Sequence, residues 1–118
     1  MEADGHDKKR TVCMYECLGT AVFIFSILNL RDDLAIPFAL MAVVVVFGGI
    51  TGGHFNPAVT LGVFVQLGDY SKNWLFMILI IVSQIGGGIL AILINFAGNW
   101  DYPTGLVPVL APINPSTK

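Results

Sequence analysis

The sequence predicts an all-α membrane protein with three spanning helices and one half-length helix. Hydrophobic residues fill 55% of its 118 positions and charged residues only 12%, about half the charged share of a soluble domain. The apolar residues gather into three long runs divided by short polar breaks, each near the ~20 residues a helix needs to cross hydrocarbon. Between the second and third runs stands "TGGHFNPAVTLG", Thr51 to Gly62, polar at its centre and leading into a short apolar stretch.

The elements follow in order. Residues 1–10 form a polar leader ending in Lys8, Lys9 and Arg10. A basic leader before an apolar run also marks secretory signals. Val12 to Leu30 is long for that purpose and carries Glu16 near its start, so it reads as a retained helix over 11–30. Cys13 and Cys17 lie four apart on that helix, where adjacent turns suit small buried thiols better than a disulfide.

The break Arg31 to Asp33 allows only a tight antiparallel hairpin into a second helix over 34–50. Asp32 and Asp33 suit that helix's positive end, and Pro37 falls in its first turn, where a missing N–H costs little. The third spanning helix covers 74–97, with Ser83 and Gln84 near its middle. Gly86, Gly87 and Gly88 follow at once and predict close helix packing. Residues 98–118 hold Pro103, Pro108, Pro112 and Pro115. They read as an interfacial tail with Trp100 and Tyr102 at headgroup depth.

Asn56 and Pro57 together spell a helix start, Asn as cap and Pro in the first turn. The helix they open, 57–67, spans roughly 16 Å, about half a bilayer. Irregular backbone at membrane depth survives only when buried in protein or facing water. A loop dipping inward at Gly52 to Asn56 would therefore turn a row of carbonyls, from Gly52, Gly53 and His54, toward a wet cavity. The Asn56 side chain would add N–H donors at the positive helix end, which raises the barrier to cations. That chemistry passes polar neutral molecules and transforms nothing. The sequence shows no nucleophile–base pair, phosphate loop or metal-ligand set, so it points away from an enzyme and predicts no cofactor or metal. A net charge of −2 with no basic face gives no nucleic-acid surface.

These residues resemble the aquaporin and glycerol-channel family. "TGGHFNPAVTLG" is similar to its first Asn-Pro-Ala loop, "YECLGTAVFIF" (Tyr15 to Phe25) to its first helix, and "SQIGGGILA" (Ser83 to Ala91) to its third. The matches run in family order from Tyr15 to Ala91. The resemblance implies that Asn56, Pro57 and Ala58 line a pore, with Gly52, Gly53 and His54 supplying carbonyls beside them. It places Ile36 at the second-helix position lining the narrow outer constriction. It makes Glu16 the buried acid that braces the loop backbone, with Gln84 joining the helices beside it. A carboxylate in a membrane helix is costly and demands a partner; a Glu16 that snorkels to the interface is the alternative reading. The His54 ring is expected to be structural.

The family fold is an inverted repeat of two three-helix halves meeting at the midplane, and this sequence carries one Asn-Pro-Ala and three spans. The expectation is a multi-pass integral membrane half-channel, in contact with the lipid bilayer. It would supply one pore wall for passive permeation of water or a small neutral solute and be incomplete alone. Lys8, Lys9, Arg10 and Lys72 fall on one side, against Arg31 and Lys118 on the other, so identical copies would insert parallel. The complement is then the other half of a longer chain of which this is a part, a complementary half on another chain, or a larger complex in which this chain is a non-conducting structural subunit.

Overall fold

The computed structural model describes residues 2–30, 34–68 and 70–98, with side chains from residue 5 onward. Four helices follow in order: α1 (Glu2–Asn29), α2 (Ala35–Thr51), α3 (Pro57–Leu67) and α4 (Tyr70–Gly98). There is no strand among the described residues. The helices α1 and α4 are long and apolar enough to cross a membrane, whereas α2, at 17 residues, and α3, at 11, are shorter.

Helix boundaries depart from the sequence reading at three places. The helix α1 begins at Glu2, so the polar leader is a helical extension of the first apolar run. Within it the Thr11 hydroxyl donates to the Asp7 carbonyl at 2.8 Å, and Arg10 approaches Asp7 at 4.0 Å one turn back. The helix α4 starts at Tyr70, a turn before Trp74. At the head of α2 the N-cap position is Leu34, with no side-chain cap bond. The cap expected from Asp32 and Asp33 falls on residues outside those described, as does the whole tail with Trp100 and Tyr102. Pro37 does lie in the first turn of α2.

The central helix is α1, packed on one side by α4 and on the other by α2, while α3 lies against α4. Contacts between α1 and α4 climb together: Lys9 stands over Phe76, Glu16 meets Gln84, and Gly87 meets Cys17. These two helices are therefore parallel. Contacts between α3 and α4 run oppositely, Thr60 to Gln84 and then Phe64 to Tyr70, so α3 descends toward the end where α1 and α4 begin. Gln84 lies ten residues beyond Trp74 in α4, about 15 Å along the axis and half the ~30 Å hydrocarbon thickness.

The interior is small and mixed. Val12, Ala21, Val43, Phe55, Ile80 and Ala91 are its buried apolar residues, beside an equal set of polar ones that includes Glu16, Thr20, Thr60 and Gln84. A soluble domain of this size would bury mostly apolar side chains. In lipid, burying apolar surface against protein gains little, and close backbone approach and hydrogen bonds do the holding. Gly87 shows the first: a Cβ there would run into the Cys17 carbonyl. Gly86 and Gly88 face open space, because successive residues on a helix point about 100° apart. Of the expected glycine face, only the middle residue packs.

Candidate functional site

The interruption after α2 is built from unusual backbone. Gly52 closes the helix at φ 91°, its N–H bonded to the Gly48 carbonyl at 2.8 Å. Gly53 follows at φ 71°, with its N–H on the Thr51 hydroxyl at 2.9 Å. Both glycines occupy the left-handed region without the penalty a Cβ brings. Phe55 occupies it too, at φ 43°, which for a residue with a side chain stores strain. The ring holds it there: Phe55 is 2% exposed, lies against Gly19, and meets the Phe47 ring edge-on at 6.3 Å. Any side chain at position 19 would overlap that ring.

This path turns two successive main-chain N–H groups toward α1. His54 N–H donates to Glu16 Oε1 at 3.0 Å and Phe55 N–H to Oε2 at 2.7 Å. Gln84 Nε2 from α4 donates to Oε2 at 2.8 Å. Glu16 is fully buried, and its carboxylate sits in a concavity of three neutral donors. Paired backbone amides of this kind favour an anion as a helix N-terminus does.

Gln84 Nε2 also donates to the Thr60 hydroxyl at 2.9 Å. That hydroxyl lies 3.2 Å from the Asn56 carbonyl, to which it donates, and 3.2 Å from His54 Nδ1. One polar network thus joins α1, the loop, α3 and α4. Two buried atoms near it, Gln84 Oε1 and Thr20 Oγ1, have no hydrogen-bond partner among the described residues.

The loop ends in extended backbone at Asn56, φ −155° and ψ 125°, the N-cap of α3. Its Oδ1 accepts the Ala58 N–H at 2.8 Å, which leaves the amide NH₂ as a donor at the positive helix end. Asn56, Pro57 and Ala58 are exposed, as is Gly52, while Gly53 and His54 are half-buried. The sequence-predicted residues of the loop therefore come together with Glu16 and Gln84. Ile36 does not join them. It sits half-buried in the first turn of α2, with the loop at that helix's other end, about 22 Å along the axis.

Three residues that hold this geometry were not singled out from the sequence: Thr60, Phe55 and Gly19. Thr60 carries a signal, being a polar residue four positions after the cap and so stacked over it by helical spacing. Phe55 and Gly19 carry none, since their match is between distant segments.

Comparison with known proteins follows this geometry. The major intrinsic protein family matches residues 5–102. Aquaporin-8 of Notomys alexis is 38% identical over 89 residues, a match covering 66% of this chain and 33% of that protein. Aquaporin-8 of Rattus norvegicus and of Mus musculus are 37% and 36% identical over the same coverage. No solved structure matches. The matched stretch spans about a third of the length of these relatives. With the family matched across most of its length, the chain belongs to the major intrinsic protein family of membrane channels.

Proposed function

We propose that this chain supplies one wall of a channel for passive permeation of water or a small neutral solute, with α1, α2 and α4 spanning the bilayer and α3 a re-entrant half-helix. The observation that carries this reading is the exposed Asn56 at the head of α3, about half a bilayer deep. Its loop is fixed from behind by Glu16. In this reading Glu16 and Gln84 brace the loop, and Gly52, Gly53 and His54 offer carbonyls along the wall. The Asn56 NH₂ offers a donor where the helix dipole repels cations. Pro57 and Ala58 shape the mouth, and Ile36 stands well away at the outer end.

A pore of this kind needs a second wall of opposite orientation. A single charge bias along the chain fixes one orientation, so the complement comes from other helices of inverted topology. Proteoliposomes holding this chain alone are expected to swell no faster than bare lipid in stopped-flow light scattering. Adding an inverted three-helix partner with its own Asn-Pro-Ala is expected to speed swelling, and Asn56→Asp to remove the gain. Fast swelling by the chain alone would overturn the half-channel reading. Failure of every inverted partner to raise it would favour the structural-subunit alternative.

A further inference from the structure

Among the described residues, the exposed Lys and Arg side chains gather at one end of the molecule. Because α1 and α4 run parallel, Lys8, Lys9 and Arg10 of α1 lie at the end from which Lys72 of α4 also projects, and all four are exposed. The antiparallel descent of α3 closes the same end, with Tyr70 hydroxyl donating to the Val65 carbonyl at 3.2 Å. Lys9 Nζ stands 5.5 Å from the Phe76 ring centre, a cation–π contact that holds the charge level with the first apolar turns of α4. Exposed Trp74 and Tyr70 lie in the same first turns of α4, the pair of residue types that settle at headgroup depth.

Of the acidic residues of α1, Asp7 is drawn to Arg10 at 4.0 Å. Glu2 and Asp4 belong to the first turn of the helix, about 7–11 Å of helix axis before Lys9.

We propose that this end is a binding surface for anionic phospholipid headgroups. Lys8, Lys9, Arg10 and Lys72 would meet the phosphates, and Trp74 and Tyr70 the glycerol level. The position of the cations, directly at the start of the apolar helix walls, selects a lipid over a soluble polyanion, whose approach the hydrocarbon boundary would block. The proposal needs the chain in a bilayer and does not depend on whether it conducts.

The test uses the full chain with Trp100→Phe, leaving Trp74 as its one tryptophan, reconstituted in phosphatidylcholine vesicles. Trp74 fluorescence is titrated with brominated phosphatidylglycerol and, separately, with brominated phosphatidylcholine. The expected result is at least ~3-fold stronger binding of the anionic lipid, shrinking as salt is raised and screening shortens to a few ångströms. In Lys8→Gln/Lys9→Gln/Arg10→Gln the preference should fall toward unity with helicity unchanged by circular dichroism. Equal quenching by the two lipids in the parent would overturn the proposal, and so would a preference that ignores salt. A preference untouched in the triple variant, once it is shown to be inserted, would remove these residues from the surface. Should the variant fail to insert, the parent's lipid ratio and its salt dependence still decide.

Discussion

The seam between α1 and α4 and the placement of α3 are held in different ways. Along the seam, Gly87 lies on the Cys17 carbonyl and Ala91, one turn on, is fully buried, so the two backbones meet closely there. The helix α3 buries only Thr60 along its length, and its position rests on hydrogen bonds to Thr60, Asn56 and the loop before them. The helix α2 is closer to α3 in this respect, with Val43 and Thr51 buried and Val44, Val45 and Val46 exposed. The comparison teaches that backbone proximity fixes the two long helices. A buried carboxylate fixes the loop before α3, whose polar backbone would be intolerable in lipid without it.

The sharpest way to break this contrast is Glu16→Ala. It strands two loop amides and one side of Gln84, and should lower stability in detergent by about 2–4 kcal/mol, several membrane hydrogen bonds' worth. The α1–α4 seam should survive: cysteines introduced at positions 9 and 76 still cross-link, while amide exchange at His54 and Phe55 accelerates. Simultaneous collapse of both regions would show that they are one unit.

Gly87→Ala attacks the other region. Its methyl meets main chain at Cys17, which cannot rotate away, and an overpacking cost of about 1–3 kcal/mol is expected. Unfolding in graded sodium dodecyl sulfate would measure it, and Gly86→Ala, facing open space, is the matched control with little change.

Thr60→Val removes the hydroxyl shared by Gln84, Asn56 and His54 while keeping its shape. A loss of ~1 kcal/mol is expected, together with a changed His54 ring environment in its nitrogen chemical shifts. Smallest of all, Val45→Ala on the outer face of α2, where the side chain is 76% exposed, should stay within about 0.5 kcal/mol of the parent. A larger loss would mean that α2 packs on something in detergent.

Much of this was legible in the residues. Three apolar runs with few charges dictate helices in lipid, since an unpaired backbone group there is too costly for anything else. Asn56-Pro57 marks the start of α3 to the residue, because cap and first-turn preferences are local. Glu16 stood out for the cost of its charge, and Gln84 for being an amide in mid-span. Less legible were helix ends in polar sequence. Residues 2–10 continue α1, where periodicity carries no apolar signal. The three consecutive glycines of α4, Gly86 to Gly88, looked alike in sequence and differ in structure, because only one points at a neighbour.

What the sequence determined by itself was therefore the list of helices, the break between them and the polar residues that lipid would not leave unpaired. Only the tertiary structure decided which partner each one took. The Phe55 ring finds room because Gly19 on another helix lacks a side chain, and that fit sets a strained φ that aims two amides at Glu16. Local propensity cannot foresee such a fit, since the strain is stable only when distant segments have already closed around it.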